Sequence, residues 1–392
     1  MKVTTLLKTM LLIVSFSAFG AEPEAYITES GIAIIPAINT GYKYDNNIFS
    51  QADGTSSSGI FIISPVVTFL LDDGINNYHL NIGGESGTYI SSADDNYLTG
   101  NISFKSHLEP SYRSRFDLSL ETKKEEEPRG TGLTEGLGEL LFKPIQFIDQ
   151  TAQLKYEYGS LKSNGRIAIM GRYYNKNYTN FSELTQFSSF YQSTLGATFF
   201  YSTNSSTDAF FELRGAGINY FEAISVSRDS DVYAALVGIR WKATALTSGS
   251  FKIGQEQKKF AEPLRNDFKG ISWKGSITWQ PLTYSTFTFD TSRQAKDPDV
   301  QGDYISESVY GLNWRHKWSA KVTSNITYNY TNEDYSGFER QDKTNDLFSS
   351  INYQFKRWAD IAFYIELTDK DSTNNNVIYD KNVIGLDITF SL

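Results

Sequence analysis

The chain has 392 residues, a formal net charge of −9 and no cysteine. The acidic balance argues against a broad basic face for nucleic acid. The missing cysteine excludes a disulfide framework, thiolate metal sites and a cysteine nucleophile.

The first twenty residues, MKVTTLLKTMLLIVSFSAFG, place Lys2 and Lys8 ahead of a short apolar core from Met10 to Phe16. Ala18 and Gly20 follow as small residues at the −3 and −1 positions. This is the pattern of a secretory signal peptide over residues 1–20, with an apolar core too short to span a bilayer. The longest later apolar stretch, Ile60 to Leu71, contains Pro65 and is also too short for a spanning helix.

Residues 21–392 read as one domain, built on alternation. In RFDLSLE, Phe116, Leu118 and Leu120 face one way, while Arg115, Asp117, Ser119 and Glu121 face the other. In DIAFYIELT, Ile361, Phe363, Ile365 and Leu367 oppose Asp360, Tyr364, Glu366 and Thr368. Period two is the signature of a strand. Strands are expected near 32–44, 60–71, 77–90, 97–108, 111–121, 135–144, 166–175, 187–201 and 207–219. They continue near 231–242, 247–257, 268–280, 284–291, 304–316, 320–331, 344–355, 358–368 and 380–392. The segment TAQLKYEYG from Thr151 also alternates. Counting it as well would invert every later loop, so it is set aside as a periplasmic extension, and the role of residues 145–165 stays open. Short connections such as DDGIN, from Asp72, alternate with long ones such as ETKKEEEPRGTGLTEG, from Glu121.

Segments of about ten alternating residues joined by alternately short and long loops specify a transmembrane β-barrel. The expected fold is therefore an all-β, antiparallel up-and-down barrel of about eighteen strands, with sixteen as the alternative, in the outer membrane of a Gram-negative bacterium. A soluble β-sandwich or propeller would also alternate, but it leaves the last strand unexplained. That strand, VIGLDITFSL, puts Ile384, Leu386, Ile388, Phe390 and Leu392 on one face. This suits a closing strand with a lipid-facing side and a C-terminal signal for the barrel-assembly machinery. Such barrels usually end on an aromatic residue; here Leu392 is last and Phe390 lies two before it.

A weak internal repeat places an aromatic residue before five short turns: Phe199, Trp241, Trp279, Trp314 and Tyr353. These read as an interface girdle, where a ring sits half in oil and half in water.

Little chemistry is expected. His79, His107 and His316 have no metal-ligand spacing, and no nucleophile elbow is present. GTGLTEGLG, Gly130 to Gly138, lacks the strand–helix setting of a phosphate loop and reads as a flexible outer loop. No catalytic residue, metal or cofactor is expected, and the protein reads as no enzyme. The informative residues lie opposite the lipid face: Arg115, Asp117, Glu121, Arg166, Arg172, Glu212, Arg214, Arg240, Arg315, Glu366 and Asp387, with Tyr174 and Tyr364. They read as a polar track in a lumen wide enough to hold water.

IIPAINTGYKYDNNIFS, Ile34 to Ser50, and FIISPVVTFLL, Phe61 to Leu71, resemble the opening of a family of outer-membrane β-barrel porins. That family, beta-barrel porin 2-like, is associated with exopolysaccharide and capsular polysaccharide biosynthesis. The pattern is carried by Gly41, Tyr44, Asp45, Asn47, Ile48 and Phe49, then by Ile63, Ser64 and Pro65. SNGRIAIMGRYYNKNYTN, Ser163 to Asn180, is similar to the family's mid-chain strand through Gly165, Arg166 and Tyr178. The resemblance implies passage of a secreted polysaccharide, with periplasmic and inner-membrane export components as partners beside outer-membrane lipid. Two alternatives stand beside it: a diffusion porin for small solutes, and a structural or adhesive barrel acting through its extracellular loops.

Overall fold

The computed structural model describes residues 25–204, 206–222, 226–242 and 246–391. The expected signal peptide and Leu392 lie outside the described residues. A short β1 (Tyr26–Ile27) pairs with the foot of β2 (Ala33–Asp45). The wall continues through β3 (Ser58–Asp72), β4 (Asn77–Tyr89), β5 (Tyr97–Ser111), β6 (Ser114–Glu127), β7 (Ile145–Tyr158), β8 (Gly165–Tyr178) and β9 (Phe190–Asn204). Next come β10 (Thr207–Tyr220), β11 (Ser230–Trp241), β12 (Thr247–Phe260), β13 (Phe268–Leu282) and β14 (Ser285–Lys296). The last are β15 (Ile305–Lys317), β16 (Val322–Tyr335), β17 (Gln341–Lys356), β18 (Ala359–Ser372) and β19 (Tyr379–Ser391).

Each strand from β2 to β19 pairs antiparallel with its sequence neighbour, and β19 closes on β2 from Val383↔Asp45 to Ser391↔Ala37. Closure is what lipid requires. Every strand from β2 to β19 then has a partner on both sides, and no open edge is left in hydrocarbon. The alternation of the last strand serves this closure: Ile384, Leu386 and Phe390 are exposed on its outer face.

One expectation is corrected. Residues 135–144 form no strand; they carry a 3₁₀ turn at Gly138–Leu140, and another, Gly132–Thr134, lies just before them. The sixth wall strand is Ile145–Tyr158, which includes the alternating segment TAQLKYEYG. The physical reason is local. Gly132 and Gly136 adopt positive φ, Leu140, Leu141 and Phe142 break the alternation, and Pro144 cannot donate to a ladder. In Ile145–Tyr158, by contrast, Leu154 is exposed on one face and Asp149 and Glu157 are buried on the other. One segment replaces the other, so eighteen wall strands remain and the loop parity is unchanged.

A second difference lies at the outer rim. β6, β8, β12 and β14 run on to Glu127, Tyr178, Phe260 and Lys296, beyond the strand ends expected near 121, 175, 257 and 291. Wall strands run from 12 residues in β11 to 16 in β17. About 9–11 residues suffice to cross the membrane, so the surplus stands above it as a polar collar.

Candidate functional site: the lumen and its outer mouth

Short connections mark the periplasmic rim. Only Tyr112 and Arg113 separate β5 from β6, and only Arg357 and Trp358 separate β17 from β18. Toward this rim, the inner wall carries a chain of charges. His107 on β5 meets Asp117 on β6 at 2.6 Å. Lys155 on β7 stands between Asp117 (3.5 Å) and Glu157 (3.4 Å). Glu157 accepts from Arg115 at 2.9 Å and from Arg166 at 3.1 Å. Arg166 reaches Asp208 at 2.6 Å, and Arg240 meets the same carboxylate from β11 at 2.6 Å. Six strands between β5 and β11 are thus tied by alternating charge, with β9 joining through Ser202, which accepts from Arg166 at 3.0 Å and donates to Asp208 at 2.7 Å. Each side chain sits on the inner face because its neighbours in sequence, such as Leu154 and Ile167, are exposed to the outside.

Halfway up, a cationic cluster follows. Lys252 donates to Glu212 at 2.7 Å, and Arg214 donates to Glu256 at 2.9 Å. Lys274 is the register partner of Lys252 and is exposed to the lumen. Arg172 lies on β8 and Arg315 on β15, also at inward positions. The opposite arc bears acids: Asp346 on β17, Glu366 on β18, Asp387 on β19 and Glu85 on β4. Glu85 accepts from Tyr97 at 2.6 Å and from Ser64 at 2.8 Å.

All the residues expected in the track, from Arg115 to Asp387, occupy inward positions of the alternation, including Glu121, Arg240, Glu366 and Tyr364. They do not all meet the lumen in the same way. Arg115, Arg166, Tyr174 and Asp387 are buried. Tyr174 donates its hydroxyl to Asp149 at 2.6 Å and packs on Phe190, so its ring is part of the wall rather than a free stacking surface. The aromatic residues expected at the interface lie on the outward positions near the short-turn rim. Phe199, Trp279 and Tyr353 are exposed, while Trp241 and Trp314 are half-buried. Trp279, Phe287 and Trp314 form a run of stacked rings across β13, β14 and β15.

The outer mouth is built by residues that alternation cannot flag. The loop 128–144 folds inward from β6 and β7 and reaches β17 and β18. Glu135 at its tip meets Arg340 at 2.8 Å and also pairs with Lys370. Arg340 in turn holds Asp342 through its Nε at 2.8 Å. At the loop's base, the Arg129 Nε donates to Asp95 at 2.7 Å, and its guanidinium lies 4.0 Å over the Phe49 ring. Gly130, at φ 83°, lets the chain pass against the Phe49 carbonyl, which a Cβ would meet at 1.7 Å. Ile48, Phe49, Leu133 and Val377 are buried here, so a small apolar core lies under the mouth. Arg340 feels two opposed influences. Burial works against its charge, but the bond to Asp342 and the nearby Glu135 carboxylate outweigh it and raise its pKa.

The resemblance residues acquire physical roles in the same region. Asn47 is fully enclosed; its amide nitrogen donates to the Gln51 carbonyl at 2.7 Å and to the Asp380 carbonyl at 2.9 Å. Tyr178 donates to Glu127 at 2.8 Å, and Arg166 is the hub already described. They fasten loops and strands to each other. Sequence reasoning missed Arg129, Glu135, Asp208, Arg340 and Lys370. Glu157 would have emerged had the alternation from Thr151 been given full weight.

A closed wall of eighteen strands, apolar outside and charged within, defines a porin-like barrel of the Gram-negative outer membrane. The chain belongs to the family described as "Putative beta-barrel porin 2", which matches residues 31–392. No curated protein matches it. Among solved structures it is similar to OccK2 (OpdF) of Pseudomonas aeruginosa, at 8% identity and TM-score 0.50 over 92% of this chain and 97% of that one. It is also similar to OprD of Pseudomonas aeruginosa, at 12% identity and TM-score 0.46 over 96% and 99%. A BenF-like porin from Pseudomonas fluorescens Pf-5 matches at 11% identity and TM-score 0.48 over 92% and 99%. The family points to a channel rather than an enzyme.

Proposed function

We propose that the protein is a passive channel for small hydrophilic solutes. The observation that carries this reading is the loop 128–144, drawn across the mouth and pinned by Glu135 to Arg340 and Lys370. A passage crossed by a loop pinned through ion pairs suits single small molecules better than a threading polymer. The inward charged positions, Arg172, Arg214, Lys274, Arg315 and Glu366 among them, supply a wetted track that replaces part of a solute's hydration shell. Concentration difference alone drives such transport.

The test is reconstitution of the purified protein. In planar bilayers it gives a steady open conductance with no partner added. In liposome swelling, uptake falls steeply from monosaccharides to oligosaccharides. A silent bilayer, or equal entry of long oligosaccharides, overturns the reading.

Passage of an exopolysaccharide or capsular polysaccharide is the second reading. It rests on the resemblance carried by residues 34–50, 61–71 and 163–180, and the matched family's description names no polymer. Under that reading, deletion of the protein traps polymer inside the cell, and periplasmic and inner-membrane components supply the drive.

A further inference from the structure

The outer face of the wall should be uniformly apolar, and over β9 to β13 it is not. A groove of about 630 Å³ opens there toward the lipid. Ala197, Gly215 and Ala235 form its floor, and Leu195, Leu213 and Tyr233 form its rims. The register explains the shape. Small and large residues alternate along each row, Leu195–Gly215–Tyr233 and Ala197–Leu213–Ala235, so the surface is hollowed between the large ones.

At one end the groove runs into Gln255, Gln257 and Lys269. Gln255 is the register partner of Ala235 and Ile271, and Gln257 that of Tyr233 and Lys269. Both glutamines therefore point outward, Gln255 between the apolar Ala235 and Ile271, and Gln257 between Tyr233 and Lys269. A carboxamide facing hydrocarbon with no partner is costly. Lys269 stands near the outer end of β13, and Lys259 stands near the outer end of β12 beside Asp231. Among the described residues, no carboxylate forms an ion pair with either ammonium, Asp231 included. An apolar trough that rises from mid-wall to amides and two lysines at the outer rim matches an amphiphile with an acyl chain below and phosphate above.

The geometry points to a binding site for a phosphate-bearing glycolipid of the outer leaflet. One acyl chain lies in the groove, Gln255 and Gln257 meet its linkage and sugar oxygens, and Lys259 and Lys269 meet its phosphate. The charges favour this occupant over a second copy of the chain. Two copies joined about a twofold axis at this face would bring the same lysines together.

The experiment is native mass spectrometry of the full-length barrel in detergent, with purified diphosphorylated lipid A as the probe and its dephosphorylated form as the comparison. The diphosphorylated probe is retained, and Lys259→Gln with Lys269→Gln lowers its retention about tenfold. Ala235→Trp, which fills the groove and leaves the lysines intact, lowers retention of both probes. Heat-modifiable gel mobility and unchanged conductance show that each variant is folded. Equal retention of the two probes, or an unchanged double variant, overturns the site. Self-crosslinking of an Ala235→Cys protein in lipid-free detergent overturns it too, because the groove then belongs to a second copy.

Discussion

Asn47 closes the outer end of the first hairpin with one side chain. Its carboxamide donates to the carbonyls of Gln51 and Asp380 and accepts from the Gln51 amide at 2.9 Å. It therefore holds the loop 46–57 to itself and to β19 at the barrel's seam. Asn47→Ala leaves buried backbone groups unmatched, a cost of about 1–3 kcal/mol. The expected outcome is a lower midpoint for loss of the folded, heat-modifiable band, with the conductance of surviving folded protein little changed. Gly130 makes the complementary case. Gly130→Val meets both a left-handed φ and the Phe49 carbonyl, so the loop 128–144 loses its seat while the wall stays closed. Channel recordings of this variant show a larger and noisier conductance than the parent.

At the scale of elements, β7 is the strand to test, because its neighbour in sequence competed for the place. Leu154→Asp puts a charge on the lipid face near the middle of β7, at a cost of up to about 2–4 kcal/mol by the scale for charged groups at the bilayer midplane. Gln153→Asp puts the same charge one position along, where water reaches it. Membrane insertion assayed by heat-modifiable mobility fails or is strongly impaired for the first and is near normal for the second. Equal behaviour would refute the placement of β7.

The infolded loop is held at its tip by charge. Glu135→Gln removes the charge that pairs with Arg340 and Lys370 and leaves Asp342 to hold both cations. Breaking one partner of a largely enclosed pair is worth a few kcal/mol. Conductance rises, and larger sugars enter in the swelling assay.

These elements also show what was legible beforehand. Alternation carried the barrel, because lipid on one side and water on the other impose period two on nearly every wall strand. It failed at 135–144, where a run of Leu140, Leu141 and Phe142 looked strand-like by hydrophobicity alone. Those residues belong to a loop whose glycines fold it into the mouth. Glu135 and Arg340 were unreadable for a different reason. They lie far apart in the chain, and neither is part of a periodic segment, so only the closed ring brings them together.

For the whole molecule, the distribution of charge around the ring decides how a solute is treated. The arc from β8 to β15 presents Arg172, Arg214, Arg240, Lys252, Lys274 and Arg315 inward, relieved in part by Asp208, Glu212 and Glu256. The arc from β17 through β19 to β4 presents Asp346, Glu366, Asp387 and Glu85, relieved by Lys43. Low-dielectric walls confine the resulting field to the lumen, so it crosses the passage from one side to the other. An ion pair already closed within the wall adds little to that field. Lys274 adds more, because it is exposed to the lumen and, among the described residues, has no carboxylate within ion-pairing distance. Lys274→Glu reverses one charge at mid-height. The reversal potential in a salt gradient then moves toward cation preference, with the permeability ratio changing by roughly twofold at low salt and less at high salt. Lys259→Glu makes the same change on the outside of the same wall and leaves the reversal potential where it was. A shift of equal size in both proteins would mean that the measured selectivity is set at the barrel's rim rather than along its lumen.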